Sequence, residues 1–337
     1  MLLHNHSLKS FNTFGVGVKS KLFADIKTEN DIINLKSDRS LKEEKKLVLG
    51  GGSNILFTEN FDGLVIKISI AGIKILEENT DNVILEAGSG VVWDELVNFC
   101  VDNNFWGVEN LTLIPGTVGA APIQNIGAYG QELADTFVSL NGFFLDSFEK
   151  KEFSKEDCKF SYRSSIFKEK YKNEFIISSV RLKLSKNPGP NLSYKSLMEY
   201  LTTSQIQNPT IRDISLAVTA IRQSKLPDPK IIGNAGSFFK NPAVNNERFN
   251  QIKSDFSDII SFPSSGENTK ISAGWLIEKC GWKGKRFGDV GTSPKHALVI
   301  CNFGNASGAE ILEFAMRIKE EVQAKFGIAL EEEVNII

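Results

Sequence analysis

Histidine and cysteine are scarce in this chain, three and four among 337 residues, and their spacing removes several chemistries at once. Cys100, Cys158, Cys280 and Cys301 form no C-x-x-C pair, and His4, His6 and His296 do not cluster with them, so no metal centre is expected. The cysteines sit in apolar patterns, which suits buried free thiols in a reducing compartment. No apolar run approaches the ~18 residues of a membrane helix, and the N-terminal MLLHNHSLKS lacks the apolar core of a secretion signal. A formal net charge of −2, with Lys and Arg spread along the chain, leaves no basic stripe for nucleic acid or an anionic membrane surface. The expectation is a cytoplasmic protein, monomeric, with a small-molecule partner held by a local site.

Both common nucleotide motifs are also missing. No segment fits G-x-x-x-x-G-K-[ST], and the glycines of LVLGGGSNILF (Leu47–Phe57) are not spaced as G-x-G-x-x-G, because the sixth position from Gly50 is Ile55. Yet that segment reads as a strand, a turn able to cradle an anion, and a second strand. Further on, PGTVGAAPIQNIGAYG (Pro115–Gly130) holds four glycines, three alanines and two prolines and no Asp, Glu, Lys or Arg. A stretch so poor in side chains suits backbone contact with a large, often anionic ligand, although Gly and Pro clusters are also the ordinary punctuation of loops.

With 41% apolar residues and this length, the chain has ample core for two or three domains. The pattern is mixed α/β. Strands are expected at Ile73–Leu76, Val83–Ala87 and Phe175–Leu182, and helices over Trp93–Phe105 and Ile214–Ser224. Glu149–Lys159 reads as a solvated hairpin or loop, and Lys186–Ser193 as a loop. KLPDPK, with prolines at 227 and 229, makes a stiff connection suited to a domain boundary. Beyond it, Ala273, Leu276, Ile277 and Cys280 mark a helix ending at Gly281. Ser307 and Glu310 form a capping box ahead of the stripe Ile311, Phe314, Ala315, Ile318, Val322 and Phe326, closed by Gly327. A short strand, IALEEEVNII, is expected after that helix.

Three polar segments stand out. In KFSYRSSIFK, Arg163 lies between apolar residues and needs an anionic partner, which a structural salt bridge supplies as readily as a substrate carboxylate. In GNAGSFFKNP, Ser237 follows Gly236 on an apolar wall, where it is either a satisfied turn hydroxyl or a proton donor; G-x-S-x-G is absent, so it is not a hydrolase elbow. Of Glu331, Glu332 and Glu333, the first and last share one face of a strand, and the flanking Ile328–Leu330 and Ile336–Ile337 favour a strand in a sheet over a solvated acidic tail.

Taken with NTFGVG (Asn12–Gly17), LSYKSL and AGWLIE, these segments resemble the UDP-N-acetylenolpyruvoylglucosamine reductase (MurB) family over nearly the whole chain, in order and spacing; LSYKSL marks its type I branch. The resemblance implies an α/β (α+β) fold akin to the vanillyl-alcohol-oxidase (PCMH-type) flavoproteins: two FAD-binding α/β subdomains and a third, substrate-binding α/β domain. The boundaries it suggests are 1–70, completed by the C-terminal strand 328–337, then 71–226 and 227–327.

By motif match, FAD would be bound non-covalently by Gly50, Gly51, Gly52, Ser53 and Asn54 and by Pro115, Gly116, Gly119, Asn125, Gly127, Ala128, Tyr129 and Gly130. NADPH would be the hydride donor, and the enolpyruvyl group of a UDP-sugar the acceptor, in peptidoglycan precursor synthesis. Arg163 would be the fixed cation, Ser237 the proton donor and Glu333 the third active-site residue; Tyr194, Lys225 and Asn241 would contact the UDP-sugar. The chain departs from the family pattern at Glu332, where relatives often have proline; its side chain is expected to point away from Glu333. Two rival readings are a flavin oxidase of the same superfamily and a silent flavin or UDP-sugar binding module. GNAGSFFKNP and LSYKSL oppose the first, and the joint presence of Arg163, Ser237 and Glu333 opposes the second.

Overall fold

The computed structural model describes residues 2–263, 266 and 268–337, which divide into two compact units. Within the described residues, the first spans 2–6, 20–51 and 62–222, and the second spans 7–19, 52–61 and 223 onward. The architecture is mixed α/β, as the sequence pattern predicts.

In the first unit a four-stranded sheet runs in the order Leu2–Ser7, Lys19–Ile26, Phe61–Ile68, Lys46–Leu49, the last two strands being parallel. Beside it a five-stranded antiparallel sheet is ordered Lys150–Ser154, Phe137–Phe144, Phe175–Ser185, Asn82–Gly88, Ile73–Glu78. Phe143 and Ile176 from the second sheet pack into the same core as Leu22, Ile66 and Ile68 from the first. The other face of the five-stranded sheet shares a larger core with the Trp93–Asp102 and Ile211–Lys225 helices.

Of the hairpin or loop expected at Glu149–Lys159, the hairpin forms: the edge strand Lys150–Ser154 pairs antiparallel with Phe137–Phe144 and is followed by one helical turn, Lys155–Cys158, with a capping box between Ser154 and Asp157. Phe153 and Cys158 are buried beneath its charges. Charge on an edge strand blocks pairing with other chains, so a polar reading of the segment is compatible with a strand.

The second unit contains the sheet Gly233–Ser237, Val299–Asn302, Val290–Thr292, Arg286–Phe287 and a smaller one of Ala243–Asn245, Asn268–Ile271 and Ser261–Pro263. The helix Gly308–Phe326 forms where the caps place it: the Ser307 hydroxyl accepts from Glu310 N, the Glu310 carboxylate accepts from Ser307 N, and Gly327 closes the helix at φ +64°. All six apolar stripe residues are buried, and the five larger than Ala315 each contribute roughly 1.5–3 kcal/mol of transfer free energy.

The C-terminal strand is shorter than expected. Only Asn335–Ile336 forms a ladder, parallel to Ile55–Leu56, and residues 328–334 hold on through an isolated bridge between Phe239 and Glu332. Among the described residues no helix is long and apolar enough to cross a membrane.

At the start of the Gly308–Phe326 helix, a Cβ on Gly308 would lie 1.7 Å from the Phe57 carbonyl oxygen, so the helix rests directly on backbone. Gly308→Ala is expected to cost about 2–3 kcal/mol by overpacking, against about 1 kcal/mol for loss of the cap in Ser307→Ala. Urea unfolding measures both; equal midpoints for Gly308→Ala and the parent chain would remove the contact from the account.

Candidate active site

The first unit brings two glycine-rich segments into contact. The buried Leu47 and Leu49 anchor the strand that delivers Gly50 and Gly51. A Cβ on Gly50 would fall 2.7 Å from Thr117 Oγ1, and one on Gly51 would fall 2.9 Å from the Gly116 Cα, so neither position admits a side chain. Gly116 has φ +119° and its carbonyl accepts from Trp93 N at 3.0 Å. Gly119 N donates to Ser89 O at 2.9 Å, and a Cβ there would strike Ser89 Cβ at 2.4 Å. Pro115 is exposed at the head of this segment, and Val118–Gln124 winds as a 3-10 helix. The result is a cradle walled by peptide groups.

Asn125 is buried, and its side chain ties the rest of the segment together: Nδ2 donates to Glu132 Oε2 at 2.7 Å and to Ser161 O at 3.3 Å, and Oδ1 accepts from Ala134 N at 3.0 Å. Ser161 opens the turn that carries Arg163, closed by paired backbone bonds between Ser161 and Ser164. Arg163 has φ +55°, a left-handed conformation that costs a non-glycine residue about 1–2 kcal/mol. Its Nη2 donates to Gly127 O at 2.7 Å, and its guanidinium lies 5.4 Å from the Tyr162 ring centroid. The arginine turn is thus bound to the Pro115–Gly130 segment at two points.

Tyr129 (φ +50°) and Gly130 (φ +84°) follow, and the Tyr129 ring meets Tyr194 edge-on with centroids 5.1 Å apart. Burial raises the Tyr129 phenol, while Arg222 opposes the rise.

Arg222 went unmarked in the sequence. Among the described residues it makes no ion pair, and its buried Nε has no hydrogen-bond partner. Desolvation lowers its pKa most, the Arg163 charge lowers it further, and Tyr129 and Asp94 raise it. A buried guanidinium with an unpartnered Nε suits an anionic ligand. The available signal was helical phase: Arg222 lies four residues after Val218 and seven after Ser215, on the stripe that the Ile211–Lys225 helix buries.

The second unit holds the remaining expected residues. Gly52 has φ +63°, and a Cβ on it would fall 1.9 Å from Phe11 O; Ser53 is partly buried in the turn. Asn54 O accepts from Asn335 N at 3.1 Å, and Asn54 Nδ2 donates to Glu333 O at 3.2 Å. Ser237 ends a strand whose register shifts between Asn234 and Ser237, with Gly236 at φ +70° facing open space. Phe238 N donates to Leu298 O, and Phe238 O accepts from Glu333 N at 2.8 Å, so Ser237 and Glu333 sit on adjacent backbone.

Glu331 pairs with Lys240, and Glu332 pairs with Lys319 at 2.6 Å. Asn241 Oδ1 accepts from Ala273 N at 3.0 Å, at the start of the Ala273–Lys279 helix. Lys225 is exposed and lies close enough to His296 to influence its titration. Among the described residues no group of three His, Cys, Asp or Glu could hold a metal.

Comparison with known proteins decides what this arrangement is. Residues 228–337 match the C-terminal domain of UDP-N-acetylenolpyruvoylglucosamine reductase, and residues 21–143 match an FAD binding domain. The chain is 47% identical over 334 residues to the UDP-N-acetylenolpyruvoylglucosamine reductase of Flavobacterium johnsoniae, covering 99% of this chain and 98% of that protein. It is 43% identical over 333 residues to the protein of the same name from Pseudomonas aeruginosa, covering 98% and 97%. The chain belongs to the UDP-N-acetylenolpyruvoylglucosamine reductase family.

The crystal structure of that family's member from Thermus caldophilus superposes with a TM-score of 0.69 at 25% identity, covering 100% of this chain and 98% of that one. As a family member the chain is an FAD-dependent oxidoreductase, and its residues fit the cofactor: the cradle at Gly50, Gly51, Gly116 and Gly119 has no room for side chains, and Arg222 offers an unneutralised cation.

His296 is held below the ordinary value of 6.5 first by burial, then by Lys225 and Lys283, with Glu278 opposing. Its Nδ1 accepts from Leu298 N at 3.3 Å. The unfolded chain therefore binds a proton near 6.5 that the folded chain takes up only at lower pH. This stability contribution is present above pH 6.5 and lost as pH falls through the lower folded value. Urea midpoints at pH 7.5 and 5.5 should fall further for the parent chain than for His296→Gln; an equal fall in both would remove His296 from the pH dependence.

Proposed function

We propose that the chain reduces the enolpyruvyl group of UDP-N-acetylglucosamine enolpyruvate with NADPH, giving UDP-N-acetylmuramate, with Arg163, Ser237 and Glu333 as the catalytic residues. The observation that carries this reading is the Arg163 turn. A strained arginine is tied by its own guanidinium to Gly127 and through Ser161 to Asn125, so a fixed cation stands beside the segment assigned to the flavin. Strain of this kind persists where the surroundings over-determine it, and functional sites collect it.

When bound, FAD supplies the two-electron chemistry, accepting hydride from NADPH and delivering it to the terminal enolpyruvyl carbon. Gly50, Gly51, Gly116 and Gly119 give it peptide walls, with Gly52, Ser53, Asn54, Pro115, Asn125, Gly127, Ala128, Tyr129 and Gly130 completing the two loops. Arg222 is assigned to the anionic diphosphate of the cofactor.

Negative charge that builds beside the substrate carboxylate is opposed by Arg163, whose guanidinium needs no reorientation to meet it. Ser237 gives its hydroxyl proton to the carbon next to the one that receives hydride. An alcohol is a very weak acid, so this donation requires a strongly basic partner and a site from which water is excluded. Glu333, held by backbone to Phe238 and by Asn54, orients or polarises the same centre. The sum is one hydride and one proton added across a carbon–carbon double bond, with NADPH oxidised to NADP⁺. Tyr194, Lys225 and Asn241 are assigned to the UDP-sugar, Lys225 as the charge for its diphosphate. The chain is assigned to the cytoplasm, where both nucleotides are available, and to a monomer.

Ser237→Ala separates the two halves of the reaction. In anaerobic stopped flow it should retain FAD and the NADPH-driven bleaching of the flavin bands, while reoxidation by the enolpyruvyl substrate falls about 10²–10⁴-fold. Unchanged reoxidation in this variant rules out Ser237 as the acid.

A further inference from the structure

We propose that Asn110 is a positioning residue that locks the loop carrying Tyr129 to the loop carrying Tyr194 and so sets the affinity for the UDP-sugar. The inference rests on the reading above, in which the first loop belongs to the flavin and Tyr194 to the substrate.

Asn110 is wholly buried, on a short 3-10 helix of residues 109–111. Its one amide nitrogen serves two loops, donating to Tyr129 O at 2.9 Å and to Asn191 O at 2.8 Å. Asn191 completes the lock from the other side: its Nδ2 donates to Gly130 O at 2.8 Å, and its Oδ1 accepts from Ser193 Oγ at 2.7 Å and Ser193 N at 3.1 Å. The next residue is Tyr194, which precedes the Lys195–Thr203 helix as its N-cap. At Gly130 a Cβ would fall 2.6 Å from Ser193 Oγ, so the two loops approach more closely than any side chain there would allow. The edge-on contact of Tyr129 and Tyr194 lies directly on this lock.

The base of the lock is held from several directions. Trp93 Nε1 donates to Leu111 O at 3.0 Å, Thr112 Oγ1 donates to Ser215 Oγ at 3.1 Å, and Gly107 N donates to Glu109 Oε2 at 2.7 Å. Asn110 Oδ1, by contrast, is buried with no hydrogen-bond partner among the described residues. A buried acceptor left unsatisfied is unfavourable, so this amide is retained for its two N–H groups. Turning it over would set an oxygen against two carbonyls. Both carbonyls it holds belong to the loops that present the two tyrosines.

The test compares Asn110→Ala and Asn191→Ala with the parent chain, each loaded with FAD. The expected result is a rise in substrate KM of about 10-fold with kcat within about 3-fold, and NADPH-driven flavin reduction unchanged. The double variant should be no worse than Asn110→Ala alone, because both residues act through one lock. Asn191 is on the surface side of the contact, so Asn191→Ala carries the test if Asn110→Ala does not fold. An unchanged KM in a folded, FAD-loaded variant overturns the proposal, as does loss of FAD and of thermal stability without a change in KM. A parent chain whose reduced flavin is not reoxidised by the substrate would instead overturn the functional reading beneath it.

Discussion

Gly50 and Gly51 stand so close to Thr117 and Gly116 that the smallest side chain at either position would collide with them. This approach of peptide to peptide is the constraint on which the cofactor region of the first unit depends. It requires the Lys46–Leu49 strand to end where the Pro115–Gly130 segment begins, and the antiparallel sheet behind that segment to hold Ser89 and Val91 in place for Gly119 and Val118. In the proposed reading, walls of N–H and carbonyl groups take the place of the helix terminus of a Rossmann fold, without the G-x-G-x-x-G spacing.

Around this cradle the backbone is held in conformations that side chains resist. Asn125, Tyr129 and Arg163 all have positive φ, and all are connected: Asn125 to the arginine turn, Arg163 to Gly127, and Tyr129 to Asn110. Each costs about 1 kcal/mol or more, offset by hydrogen bonds to buried or part-buried partners. In the second unit Gly236 has positive φ, and the register shifts between Asn234 and Ser237 before Ser237 pairs with Val299. In the first unit, backbone strain and assigned function therefore coincide at Asn125, Tyr129 and Arg163.

What the sequence made legible was local or periodic. The capping box at Ser307 and the stripe to Phe326 depend on neighbours within four residues, so the helix was readable to its ends. Glycine-rich segments announced themselves because composition alone excludes side-chain packing. The C-terminal strand is shorter than its sequence suggests because three glutamates between apolar residues fit a ladder as well as they fit an extended segment with separate ion pairs at Glu331 and Glu332. Arg222 and Asn110 escaped notice for one reason: each is a polar residue of an ordinary polar-looking segment, and only tertiary closure buries it without a full set of partners. The placement of Arg163 at φ +55° was likewise invisible, since nothing in SYRSS demands a left-handed arginine.

The FAD content of Gly51→Ala, purified beside the parent chain and Gly17→Ala, tests the central claim most directly. A Cβ on Gly17 meets nothing within 4 Å, whereas one on Gly51 meets the Gly116 backbone at 2.9 Å. The account predicts a full complement of FAD in the parent chain and in Gly17→Ala, and its loss from Gly51→Ala with the circular dichroism of the fold retained. Full FAD in Gly51→Ala would contradict the assignment of this contact as the floor of the cofactor site.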